Sequence, residues 1–236
     1  MKKSLLCLAL FTSFSTFAAN YQAGDFVVRG GLTQVKPDSN QAGISLDGAA
    51  LPLTLSPEDN TQLGLNFVYF YDQNWALEVL AATPFEHDIY LQDPTGATNS
   101  IYNIDLNGAK LANVKQLPPT VSALYYFDTA SGFKPYVGLG INYTVFFEEK
   151  FTATPKAAGF SDLSLDSSFG YSVQVGADYL LDDQWSLNIS ARYIDINTQA
   201  TFNVEDSLNV GGLVGKGKSN VDIDPMVYSL MLGYKF

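Results

Sequence analysis

The chain carries a single histidine, His87, with Asp93 and Ser100 following it in the same segment. These three residue types can form a hydrolytic triad, in which the imidazole takes the serine proton and the carboxylate orients the ring. Their spacing does not fix a mutual geometry, and a histidine flanked by Glu86 and Asp88 reads better as part of a solvated surface. No enzyme is expected. Metal chemistry has two candidate donor sets, Glu148-Glu149 and Asp222 with Asp224. No Asp-x-Asp-x-Asp-Gly loop is present, however, and one imidazole cannot build a zinc site. These carboxylates read as acidic surface loops, with no metal and no cofactor expected.

Lys2 and Lys3 precede an apolar stretch from Leu5 to Phe17, and small residues follow at Ala18 and Ala19. That order is a secretory signal, and cleavage after Ala18 puts Thr16 and Ala18 at the two small-residue positions. Residues 1–18 are therefore expected to be removed and residues 19–236 to form one domain. The sole cysteine, Cys7, leaves with the signal, and disulfides and thiolate sites leave with it. The chain has 13 Lys and Arg against 24 Asp and Glu, so loss of two lysines takes its formal charge to −13. No basic cluster exists to neutralise phosphates, which excludes nucleic acid as a partner.

After the signal, no apolar run is long enough for a spanning helix. Apolar residues alternate instead, with period 2, in eight segments: 24–35, 61–72, 75–84, 120–128, 134–151, 168–181, 185–202 and 226–236. In the second, Leu63, Leu65, Phe67, Tyr69 and Tyr71 share one face while Gln62, Gly64 and Asn66 share the other. A soluble sandwich needs a second layer over such apolar rows, and only more strands of the same kind are available. The apolar faces must meet lipid, and a sheet in lipid must close on itself to satisfy its backbone.

The connections alternate in length: short turns at 72–74, 128–132 and 182–184, and long links at 36–60, 85–119, 152–167 and 203–220. Tyr69, Tyr71, Trp75, Tyr125, Phe127, Tyr179, Trp185, Tyr234 and Phe236 gather at the short-turn end, as an interfacial girdle does. The expected fold is all-β: an eight-stranded antiparallel transmembrane β-barrel of the bacterial cell outer membrane, with short periplasmic turns and long extracellular loops.

By alternation Asp25, Arg29, Glu78, Asp178, Arg192 and Lys235 project inward. An eight-stranded interior is just wide enough for side chains to fill. These charges should therefore pair and plug the lower lumen, in preference to lining an ion-conducting pore. At the other end Leu51, Leu53, Leu55, Phe160 and Leu163 put apolar groups where loops are usually polar. Barrel mouths are common ligand sites, so these residues either line an apolar site or pack the loops on one another.

Several motifs together resemble the OmpW family of outer-membrane proteins: Glu78 to Phe85, Leu117-Pro118-Pro119-Thr120, Lys134 to Gly138 with Gly140 to Thr144, Val175-Gly176 with Asp178-Tyr179, and Asp224-Pro225 to Phe236. The resemblance runs in order over nearly all of residues 19–236. It implies a narrow apolar tunnel through which small hydrophobic molecules pass, with lateral release through the wall, and a tunnel floor to which Leu80 contributes. The pattern departs at Ala191-Arg192-Tyr193, where the family carries a large aromatic; a charge there would shorten or re-polarise the floor. Pro84 removes a ladder donor and could mark a wall opening or a simple strand end. Tyr234 and Phe236 would be the signal read by the barrel-assembly machinery. The expected partners are outer-membrane lipid, a small hydrophobic ligand and that machinery, with the barrel a monomer. The alternatives are a structural or binding barrel whose loops contact envelope or host partners, and a small ion pore.

Overall fold

The computed structural model describes residues 20–38, 42–98, 105–205 and 214–236. The signal segment lies outside the described residues. The strands in chain order are β1 (Phe26–Lys36), β2 (Ala42–Leu46), β3 (Ala49–Pro57), β4 (Asn60–Phe70), β5 (Trp75–Ala82), β6 (Phe85–Gln92), β7 (Lys110–Leu117) and β8 (Thr120–Tyr126). They continue as β9 (Phe133–Phe151), β10 (Phe160–Leu165), β11 (Ser168–Leu180), β12 (Trp185–Ile194), β13 (Asn197–Val204), β14 (Gly215–Asp222) and β15 (Met226–Lys235), with a short helix, α1 (Ala153–Ala157), before β10.

Eight of these strands close a barrel in the order β1-β4-β5-β8-β9-β11-β12-β15, and β15 returns to β1 from Val27 opposite Lys235 to Lys36 opposite Met226. Their outward rows are the predicted apolar ones, with Leu63 64% exposed, Leu139 63% and Phe169 70%. At about 3.3 Å per residue and a tilt near 40°, the 13 residues of β11 climb roughly 33 Å, enough to cross a hydrocarbon core of ~30 Å. The girdle forms at the short-turn end through edge contacts such as Trp75 with Tyr125 and Trp185 with Tyr234. Two of the short turns are built alike. Asp72 accepts the amides of Asn74 and Trp75, and Asp182 accepts those of Gln184 and Trp185. Glycine makes the interior fit: a Cβ on Gly176 would lie 2.5 Å from the Tyr136 ring, and one on Gly138 would lie 2.6 Å from Gln174.

The long links correct the sequence reading. They were expected as loops, yet they hold β2, β3, β6, β7, β10 and most of β14, which continue the barrel beyond the membrane. The segment expected as one strand over 185–202 is also two, β12 and β13, parted at Asp195-Ile196. In this upper part the sidedness inverts. Ala42, Ile44 and Leu46 point inward while Gly43 is exposed and Ser45 partly so, because the outer face now meets water. Among the described residues the upper wall lacks a ladder between β10 and β9: β10 pairs with β13, while toward β9 it offers the Leu165 amide to the Glu149 carboxylate at 3.4 Å.

Candidate functional site

Alternation places charged residues of four strands at one level of the lower lumen, and burial forces them to find each other. Arg29 of β1 meets Glu78 of β5 at 3.2 Å and Asp178 of β11 at 2.6 Å, with both side-chain pairs fully buried. Arg192 of β12 pairs with the other Glu78 oxygen, and its Nε donates to Gln174 Oε1 at 2.8 Å. Neutral donors fill the remaining carboxylate positions. Tyr21, Tyr126 and Asn188 donate to Asp178, and Asn66 and Gln174 donate to Glu78. Two guanidiniums against two carboxylates leave the cluster formally neutral, which is the condition under which charges persist in a low-dielectric interior.

Asp25 and Lys235 do not join this cluster. They pair with each other at 3.5 Å at the short-turn rim, where both side chains stay partly exposed. The strand ends there, so the inward row of β15 leaves the lumen before reaching Lys235. Tyr21 enters the cluster from ahead of β1, and no strand alternation could have signalled it. Tyr234 and Phe236 stack edge-to-face at 4.8 Å in the girdle, and the Phe236 amide donates to the Phe26 carbonyl at 2.9 Å.

Above the ion pairs lies an apolar layer of Val35, Phe85, Val114, Phe146, Ile194, Ile196, Ile223 and Val227. Ile194 is two residues past Arg192 on the same face of β12, and Val227 is the cross-strand partner of Arg192, so the guanidinium sits directly under this layer. A cavity of about 70 Å³ opens over it, lined by Leu55, Ile89, Leu111, Val114, Phe146, Phe151, Leu163, Leu165, Phe202, Ile223 and neighbours, with His87 and Gln116 as its polar members. Of the tunnel residues expected from sequence, Leu55 and Leu163 line it, while Leu51, Leu53 and Phe160 pack against the buried apolar cluster to which Leu55 belongs without reaching the cavity. Leu80, Pro84 and Arg192 are not in the lining. Leu80 is buried in the lower barrel beside Asn66 and Thr120, Pro84 is exposed in the wall, and Arg192 belongs to the ion cluster. Phe146 and Phe202 fall on the inward parity of segments already read as strands, 134–151 and 185–202, and Phe151 turns inward past Glu148, whose φ of 53° shifts the alternation.

The wall beside the cavity is interrupted. The β4 to β5 ladder ends at Gly64 opposite Ala82, with one further bond from the Thr83 amide to the Leu63 carbonyl. Pairing resumes where the Glu58 amide meets the Asp88 carbonyl and Pro57 stands opposite Ile89. Successive residues of a strand bond to opposite sides, yet Thr83 and Asp88, five apart, both bond toward the β3–β4 side. The strand therefore switches its bonding side in the Pro84 kink, and among the described residues 84–87 form no ladder with 59–62. His87 bridges the interruption: its Nδ1 lies 2.7 Å from the Glu58 carbonyl, and its Nε2 lies 2.9 Å from Gln116 Nε2.

The other candidate groups of the sequence hold ordinary partners. Asp93 takes the Thr98 hydroxyl and amide and the Ala97 amide, which together lower its carboxyl to about 2. Ser100 lies outside the described residues. Glu148 pairs with Lys115 at 2.9 Å, which holds its carboxyl below the usual range, and Asp224 accepts the Ile196 amide at 3.0 Å.

The family model described as the OmpW family matches residues 22–236. Outer membrane protein W of Vibrio cholerae is 41% identical over 241 residues, covering all of both chains. Among solved structures, the outer membrane protein OprG from Pseudomonas aeruginosa superposes with a TM-score of 0.81 at 40% identity, over 92% of this chain and 98% of that one. A more distant relative, the dibenzothiophene metabolism operon protein PahQ of Pseudomonas aeruginosa, is 25% identical over the whole of both chains.

Proposed function

The chain belongs to the OmpW family of outer-membrane β-barrels, and from that premise we propose that it passes small hydrophobic molecules inward through the upper cavity and releases them sideways into the membrane between β4 and β6. The observation that carries this reading is the adjacency of the cavity to the wall interruption: His87 belongs to both. A molecule in the cavity has an apolar layer and a neutral, ion-paired cluster beneath it, so descent along the lumen would need both to open. The sideways path crosses one imidazole-to-carbonyl hydrogen bond, and the exposed apolar Leu63 borders it on the membrane side. The β9–β10 side is bridged by a hydrogen bond from the Leu165 amide to the Glu149 carboxylate and by the Phe151–Phe160 ring contact at 5.5 Å. A relative that belongs, by its name, to dibenzothiophene metabolism supports an aromatic, hydrophobic cargo.

Uptake of a fluorescent hydrophobic reporter by cells with and without the protein tests the proposal, and equal uptake would overturn it. Ala200 lines the cavity and is 4% exposed. Filling the space with Ala200→Trp should therefore bring uptake close to that of cells lacking the protein, with the folded barrel still recovered from the outer membrane.

A further inference from the structure

One wall of the apolar cavity holds an amide whose oxygen bonds to nothing. Gln116 of β7 is 1% exposed, lines the cavity between Val114 and Phe146, and has no hydrogen-bond partner for Oε1 among the described residues. The orientation of that amide follows from its neighbours. A backbone carbonyl only accepts, so the 2.7 Å contact between His87 Nδ1 and Glu58 requires the proton on Nδ1. A neutral imidazole carries one such proton, which leaves a lone pair on Nε2. The Gln116 atom 2.9 Å from that lone pair must be the amide nitrogen, and the oxygen is the group left over.

The neutral form of His87 is the one the site favours. Burial pushes its pKa down, against smaller upward contributions from the Glu58 carbonyl and the nearby Asp59 and Asp88. Gln116, on the neighbouring strand, adds no charge. A lone acceptor of this kind costs stability wherever it is buried, and a leucine in its place would cost none. Every other wall position around it is apolar or engaged: Leu111, Ala112, Val114, Phe146 and the bridging His87.

We propose that Gln116 Oε1 is a specificity contact that accepts a hydrogen bond from a single O–H or N–H group on the cargo. The preferred cargo is then a small apolar molecule bearing one donor, such as a phenol, an alcohol or an N–H heterocycle, ahead of the hydrocarbon or fluorocarbon of the same shape. The proposal rests on the cavity being the cargo site. A space of about 70 Å³ is several times the ~10–15 Å³ that one water needs, so it admits the donor-bearing end of such a molecule.

The test compares 4-fluorophenol with 1,4-difluorobenzene, which match in shape and differ in the donor. Both are titrated by fluorine NMR into the full protein in lipid nanodiscs, with binding to empty nanodiscs subtracted. The wild type should bind the phenol about fivefold more tightly, the worth of one net hydrogen bond. Gln116→Leu and Gln116→Met should lose that preference while still binding 1,4-difluorobenzene. Should neither variant fold, the wild-type ratio decides, because without the acceptor the more hydrophobic difluorobenzene binds better. Binding of both compounds that Ala200→Trp blocks, with the same ratio in wild type and Gln116 variants or a wild-type ratio of one or less, overturns the specificity contact and leaves the cavity as the cargo site. No binding of either compound, or binding that Ala200→Trp leaves unchanged, overturns both.

Discussion

Glu78 serves two guanidiniums at once, through Oε2 to Arg29 and Oε1 to Arg192, so its loss cannot be absorbed locally. Glu78→Ala would leave two buried arginines facing one carboxylate. Removing one partner from a buried pair typically costs about 3–5 kcal/mol, and that loss should appear in urea unfolding of the protein in lipid vesicles. Asp25→Asn at the rim should cost under ~1 kcal/mol in the same assay, because the Asp25–Lys235 pair is wet and single. Equal losses would mean that the two groups form one network after all. His87 supplies a pH signature. Its folded pKa lies below its unfolded value near 6.5, so between the two the unfolded chain binds a proton that the folded chain does not. Stability should be level above about pH 6.5 and fall as the pH drops through the unfolded value toward the folded one. The chain has no other histidine, so His87→Gln should flatten the upper part of that slope, before carboxylates begin to titrate. At this scale strand parity made Arg29, Glu78, Asp178 and Arg192 legible as inward, but it could not say that the inward row of β15 ends before Lys235. It could not show Gln116 either, because an amide in a segment read as a loop carries no sign of burial.

The lower strands were legible in the sequence to within two residues at most ends, as with 168–181 against β11, because lipid demands an unbroken apolar row on the outer face. The upper strands were not. Outside the membrane the outer row turns polar, as at Glu86 and Asp88 of β6, while Phe85, His87 and Leu91 turn inward. These segments therefore look like polar links scattered with apolar residues, and only cross-strand pairing reveals them. The same inversion explains why Leu51, Leu53 and Phe160 stood out as anomalous apolar residues: they pack against the buried apolar cluster of a barrel that continues upward. The break between β4 and β6 has a measurable consequence at this scale. Residues 84–87 keep only donors turned toward β7, whereas β11 is paired on both sides along most of its length. Hydrogen exchange followed by mass spectrometry should therefore show segment 83–88 exchanging well ahead of 170–180. Equal protection would mean that the wall is closed there and would remove the proposed exit.

Over the whole molecule, the level at which sidedness inverts locates the outer membrane boundary, and both the wall interruption and the cavity lie near it. The ion cluster and the apolar layer together close the lumen below, so planar-bilayer recordings should show no stepwise conductance for the wild type. The C-terminus works at the opposite end. Phe236 is 73% exposed, and its contacts in the finished barrel are rings at the lipid surface and one hydrogen bond from its amide to the Phe26 carbonyl. Such a residue contributes little to the folded state, since a side chain in the girdle leaves water for the interface whether or not it packs closely. We expect Phe236 to matter mainly while the barrel is being inserted, as the group that the assembly machinery reads together with Tyr234. Phe236→Ala should then lower the amount of barrel reaching the outer membrane severalfold, while purified protein refolded into vesicles unfolds within about 1 kcal/mol of the wild type. A large loss in both measurements would make Phe236 a packing residue. Unchanged yield in cells would show that the last strand enters the membrane without it.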